Sequence, residues 1–198
     1  MEKTLITISR QFGSGGREVA EILTKKLNCH HFNSKIVELA AKNLHDGVDI
    51  KRAIERSYYP PETVQGNLDK YEGFERLVEN NRMYVEQAKV ILNVAEQPES
   101  AIFLGRCADY ILRNRKDVFS FFIYADDDFR AMRGKTKYNG MSLKELNREE
   151  NRRKQYYEFY TGQQWGDPTN YDMMINTSKI SLEKVADTIL AYINFCRS

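Results

Sequence analysis

The apolar run Leu5-Ile6-Thr7-Ile8, a glycine-rich turn and an amphipathic stretch from Gly16 follow one another without a break. Short, β-branched and apolar, residues 5–8 read as a buried strand. Val19, Ile22, Leu23 and Leu27 recur at helical spacing and read as a helix. Between them, Gly13, Ser14, Gly15 and Gly16 place three glycines in four residues. Glycine accepts positive φ and lets a ligand approach the backbone, so such a turn can aim several N–H groups at one anion. The following helix adds the unpaired N–H groups and partial positive charge of its N-terminus. This opening points to an α/β fold that holds phosphate at the end of its first strand. The candidate contacts are Gly13, Ser14, Gly15, Gly16, Arg17 and Glu18.

The loop departs from the Walker A pattern GxxxxGK[ST], in which the lysine reaches the β- and γ-phosphates and the hydroxyl binds Mg²⁺. Aligning the glycines puts Gly16 at the lysine position and Arg17 at the hydroxyl position. Arg17, in the first helical turn, is the expected substitute cation. Arg10 is the only other cation in the loop and sits at the strand end, before the glycines. The string Gly134-Lys135-Thr136 is a decoy, since Phe129 stands where the first glycine should be and the context is helical.

Further along, residues 29–32 form a weak second strand. Ile36, Val37, Ala40, Ala41 and Leu44 mark a second helix capped by Asn33 or Ser34. Residues 45–98 hold no convincing strand. Pro60-Pro61 breaks this stretch, and Phe74, Leu77, Val78, Val85, Ala88, Ile91, Leu92 and Ala95 form one long apolar stripe. Strands are expected at 101–104, 118–125 and 171–176, and a charged helical stretch at 126–160. A last helix carries Leu182, Val185, Ala186, Ile189, Leu190 and Ile193 behind the N-cap Ser181. Strands alternating with helices imply a five-stranded parallel sheet covered on both faces.

Composition excludes several classes. Thirty basic against 28 acidic side chains leave a formal charge of +2, unlike a dedicated nucleic-acid binder. No apolar stretch approaches the roughly 20 residues of a membrane span, and the short run after Met1 is too brief for a signal peptide. A cytoplasmic setting is the expectation. Cys29, Cys107 and Cys196 are scattered, and Cys29-His30-His31 in one extended segment cannot converge on a metal.

Three segments in order carry a family resemblance: Ile6-Thr7-Ile8 with its glycine loop, Phe103-Leu104-Gly105-Arg106-Cys107-Ala108-Asp109, and Tyr171-Asp172-Met173-Met174-Ile175-Asn176-Thr177-Ser178. Together they resemble the cytidylate kinases, and more closely the cytidylate kinase-like proteins, over nearly the whole chain. The resemblance implies a single P-loop domain over residues 1–198, with its core at 1–44, 99–125 and 161–198. It implies a monophosphate-binding helical insertion at 45–98 and a lid at 126–160.

It further implies ATP, with Mg²⁺ coordinated indirectly, and a nucleoside monophosphate, cytidylate among them, as partners, with no nucleic acid and no membrane. Arg106, Asp109 and Asn33 would contact the acceptor, and Arg17, Arg130, Arg133 and Arg153 the transferring phosphoryl group. Several arginines on a water-excluding flap suit phosphoryl transfer, which is mostly positioning and charge neutralisation. Leu104 replaces the acid expected before Gly-Arg, and Asp126, with Asp127 and Asp128, is the candidate metal ligand or else a helix N-cap. Tyr156, Tyr157, Phe159, Tyr160 and Trp165 either stack on a base or pack the lid onto the core. The rival readings are a nucleotide sensor that has lost phosphoryl transfer, and a kinase of another small acceptor.

Overall fold

The computed structural model describes residues 2–44 and 70–198. Its strands are β1 (Leu5–Arg10), β2 (His30–Phe32), β3 (Ala101–Leu104), β4 (Val118–Tyr124) and β5 (Met173–Asn176). All pair in parallel, in the spatial order β2–β3–β1–β4–β5. The chain leaves β1 toward β2 and β3 on one side, then crosses to β4 and β5 on the other. The crevice at the carboxyl end of β1 is therefore the topological switch point, where ligands of open parallel sheets bind.

The helices are α1 (Gly16–Leu27), α2 (Ser34–Asn43), α3 (Lys70–Glu96), α4 (Ala108–Ile111), α5 (Asp127–Lys137), α6 (Leu143–Thr161) and α7 (Leu182–Arg197). One face of the sheet presents Ile6, Ile8, Leu104 and Phe121 to Val19 and Leu23 of α1 and to Val185 and Ile189 of α7. The other presents Leu5, Ala101 and Phe103 to Ile36 and Ala40 of α2 and to Val90, Ile91 and Ala95 of α3. Each fully buried Val, Leu, Ile or Phe side chain among these contributes about 1.5–3 kcal/mol, so the two layers fix the positions of the strand ends. Ser181 caps α7 as its sequence predicts, accepting the Lys184 N–H at 3.4 Å.

Two expectations need correcting. The apolar residues of α3 do not form a single buried stripe: Ile91 and Ala95 face the core, whereas Val78, Val85 and Leu92 are exposed. The charged stretch after β4 is two helices, broken at Asn139 and Gly140, both at positive φ. A capping box follows, in which Ser142 Oγ accepts the Glu145 N–H and Glu145 accepts the Ser142 N–H. Gly134 lies inside α5, where an added Cβ would sit 2.2 Å from the Met141 carbonyl, so that glycine serves helix–loop packing. Pro60-Pro61, the larger part of the expected 45–98 insertion, and the side chains of Phe74 and Leu77 lie outside the described residues.

Candidate functional site

At the carboxyl end of β1 the glycine loop is held from several sides. The Gln11 N–H donates to the Ile123 carbonyl at 2.8 Å, and the Gln11 side-chain oxygen accepts the Ala125 N–H at 3.1 Å. Thr177 Oγ1 donates to the Ser14 carbonyl at 2.7 Å. Gly13 and Gly15 both adopt φ of +87°, a conformation open to glycine and strained for other residues. A Cβ on Gly15 would meet Leu182 at 2.8 Å, so the loop lies directly against the start of α7.

Carbonyls of the loop are thus tied down, as are the N–H groups of Gln11 and Ser14, but most donors from Gly13 onward are not. Among the described residues, the N–H groups of Gly13, Gly15, Gly16, Arg17 and Glu18 donate to no protein acceptor. The buried Ser14 hydroxyl also has no hydrogen-bond partner. Buried polar groups are nearly always paired, and these converge at a helix N-terminus, which is the arrangement that takes phosphate oxygens.

Helices α5 and α6, the expected lid, rest on this loop through charged side chains. Arg130, 2% exposed, donates to the Phe12 carbonyl at 2.8 Å, to Asp127 at 2.9 Å and to Asn147 at 2.8 Å. Arg133 is buried against Glu18 in an ion pair. Arg153 donates to the Arg10 carbonyl at 3.1 Å and lies over the Phe12 ring, 4.6 Å from its centroid. Glu150 accepts the Phe12 N–H at 2.6 Å and the Trp165 indole N–H at 2.6 Å. The three arginines expected to close over a phosphoryl group therefore converge on the loop, each with a protein acceptor.

Arg17 is placed differently. Its side chain is 68% exposed and pairs with Glu21 at 3.1 Å, one turn further along α1. The cation expected from it is turned outward, toward an i,i+4 partner on the same helix. Asp126 is the N-cap residue of α5, and its carboxylate accepts the Asn176 amide at 2.8 Å. Among the described residues no three His, Cys, Asp or Glu side chains gather as a metal site.

On the acceptor side, Gly105, Arg106 and Cys107 have φ of +74°, +63° and +56°, three left-handed residues in a row. Each non-glycine residue held this way costs about 1–3 kcal/mol, and such strain concentrates at functional sites. The turn lifts Arg106, 3% exposed, off the end of β3 beside the loop strand, and the Gly105 N–H bonds the Ile8 carbonyl at 3.0 Å.

Asp109, 5% exposed, accepts the Tyr157 hydroxyl at 2.8 Å through one carboxylate oxygen, while the other has no partner among the described residues. Burial pushes its pKa up to about 6, against the opposing pull of the Tyr157 hydroxyl. Asn33 stands at the start of α2, at the sheet edge beyond β3, without a side-chain cap bond. The aromatic cluster resolves toward packing: Tyr156 and Tyr157 are buried with Cys107, and Tyr84 of α3 stacks on Tyr160 with centroids 4.1 Å apart.

Sequence reasoning missed the placement of Arg10, Glu150 and Tyr157. Arg10 lies six positions before Gly16, at the first glycine of the Walker pattern, and that register was the available signal. Glu150 and Arg153 are three apart on α6 and so share a face, which pointed to joint contact with one target.

A parallel sheet of this order, with an anion-ready loop after its first strand and a basic helical flap above it, defines the fold of the P-loop kinases. The sequence profile of the Cytidylate kinase-like family matches residues 5–179, and the chain belongs to that family. It is 24% identical over 197 residues to a cytidylate kinase of Sulfurisphaera tokodaii, covering 96% of each chain. Among solved structures, an uncharacterized protein from Eubacterium ventriosum superposes with a TM-score of 0.71 at 24% identity, covering 97% of this chain and 99% of that one. A shikimate kinase from Bacteroides thetaiotaomicron gives a TM-score of 0.57 at 14% identity, with 96% and 98% covered. No helix among the described residues is long and apolar enough to cross a membrane.

Proposed function

We propose that this protein transfers a phosphoryl group from ATP to a nucleoside monophosphate, with cytidylate the first acceptor to test. The observation that carries the reading is the set of donors without acceptors in the loop, including the buried Ser14 hydroxyl, beneath a flap of three arginines. The family, and the name of the Sulfurisphaera tokodaii relative, support it.

In this reading the N–H groups of Gly13 to Glu18 hold the triphosphate. Arg130, Arg133 and Arg153 turn from protein acceptors to phosphate oxygens as charge moves between donor and acceptor. Charge-assisted N–H···O bonds are the strong ones, so the exchange favours phosphate over the neutral carbonyls of Phe12 and Arg10. Arg106, fixed by its strained turn, holds the acceptor phosphate in line. Asp109 presents its open oxygen to a donor group of the acceptor, and Asn33 closes the outer side.

Mg²⁺ would enter on the phosphates with most of its water, as suits an ion that dehydrates reluctantly, and would neutralise charge there. Nearby carboxylates, Glu18 among them, would meet it through that water.

A phosphoryl-transfer assay with ATP, Mg²⁺ and a panel of nucleoside monophosphates tests the reading. Transfer to one or more of them is expected, and transfer only to a non-nucleotide hydroxyl acceptor would refute the substrate class. The rival reading, a nucleotide-binding protein without transfer, draws on Gly16, Arg17 and Leu104 standing where a kinase loop carries lysine, hydroxyl and carboxylate. ATP binding without turnover on any acceptor would favour it.

A further inference from the structure

We infer that Arg10 supplies the cation of the phosphate loop, in place of the lysine that a Walker A sequence carries at the position of Gly16. The inference rests on the nucleotide-binding reading above and concerns which side chain carries the charge. In the standard register a glycine stands at the strand end and a long cation six residues later. Here Arg10 occupies the first position and Gly16 the second, so the two residue types are exchanged.

The packing explains why the exchange goes both ways. A Cβ built on Gly16 would lie 2.6 Å from Arg10 Cβ, 3.1 Å from Arg10 Cγ and 3.3 Å from Ile123 Cβ. Cβ atoms are fixed to their backbones and cannot rotate aside. No lysine can stand at position 16 while Arg10 occupies that space, and the Arg10 side chain sets out from the place where a lysine at 16 would begin. Arg10 is 5% exposed, a degree of burial that arginine seldom accepts except where its charge is used.

Its backbone is pinned on both sides. The Arg10 carbonyl accepts from Arg153 at 3.1 Å, and the next N–H, that of Gln11, donates to Ile123 at 2.8 Å. Of the other cations near the loop, Arg17 points to solvent, and Arg130 and Arg133 reach the loop from the helical flap, not from the strand end. A guanidinium at this place offers two parallel N–H groups to phosphate oxygens where lysine offers a point charge.

The exchange is testable by reversing it. Binding of ATP and of inorganic tripolyphosphate is measured by calorimetry for the parent and for Arg10→Met, Gly16→Lys and the pair Arg10→Gly with Gly16→Lys. Arg10→Met, which keeps bulk and loses charge, is expected to weaken both ligands at least about tenfold. Gly16→Lys alone should bind poorly and melt earlier. The pair, which rebuilds GxxxxGK, should bind within about threefold of the parent, far from additive.

Arg10→Met binding as tightly as the parent, or a pair no better than its singles combined, overturns the inference. Melting temperatures give a readout that needs no ligand. Gly16→Ala should destabilise the parent but not an Arg10→Gly background, and equal losses in both would show that the positions do not share one space. If the parent binds neither ATP nor tripolyphosphate, the nucleotide-binding reading fails, and the melting cycle still decides the exchange.

Discussion

Replacing Asp109 by Asn removes a buried negative charge whose cost can be worked out from its surroundings. The carboxyl group is 5% exposed, one oxygen is unpartnered, and burial raises its pKa from 3.8 to about 6. The folded protein therefore holds a proton on Asp109 more tightly than the unfolded chain. Stability from this group is fully present below about pH 4 and is lost as the pH rises through about 6. A pKa raised by about two units corresponds to roughly 3 kcal/mol between the two ends of that window.

In Asp109→Asn no proton is exchanged, and the Tyr157 hydroxyl still finds an amide oxygen. Urea unfolding of parent and variant between pH 4 and pH 7.5 tests this. The variant should be equal or slightly weaker at pH 4 and gain on the parent as pH rises, by about 2–3 kcal/mol at neutrality. Parallel pH profiles, which require an Asp109 that ionises as easily folded as unfolded, or a variant that loses ground as pH rises, which requires one that ionises more easily when folded, would refute the reasoning.

Further outcomes are expected elsewhere in the site. Arg130→Met strands the Phe12 carbonyl and Asn147 without their buried donor, and should lower unfolding free energy by about 3 kcal/mol in chemical denaturation. Arg130→Lys should recover little, since one ammonium cannot span three acceptors. Arg106→Ala should weaken monophosphate binding at least about tenfold while leaving triphosphate binding nearly intact, read by calorimetry; equal losses would show that one site has been mistaken for two. Arg17→Ala should leave ATP affinity within about twofold, because its exposed pair with Glu21 is worth only about 0.3–0.5 kcal/mol and faces away from the loop.

The strands were legible because buried parallel strands are nearly continuous apolar runs: 101–104 was read to the residue and 118–124 within one. The loop was legible because glycine spacing and position alone specify donors at a helix N-terminus. The break between α5 and α6 was written in Asn139-Gly140 and in the Ser142 and Glu145 capping box, but the high charge of the stretch concealed it. The pairings of Arg133 with Glu18 and of Glu150 with Phe12 had no local signal, since they depend on which faces of two helices turn toward a loop more than a hundred residues away. The Arg10 and Gly16 exchange lies between these cases. Its register is visible in the sequence, but its reason is a contact between side-chain space on a strand and backbone on a helix.

The flap arginines stand beside carboxylates of their own: Arg130 beside Asp127, Arg133 beside Glu18, and Arg153 on the same helical face as Glu150. Paired in this way, they project little field beyond the protein surface, and the whole chain carries a formal charge of only +2. Long-range capture of anions accelerates encounter only when positive charge is uncompensated over distances beyond a screening length of about 8–10 Å. A polyanion will thus arrive by ordinary diffusion, at a rate nearly indifferent to added salt. The arginines will act on residence time, once the bound phosphates have replaced their resting carboxylates.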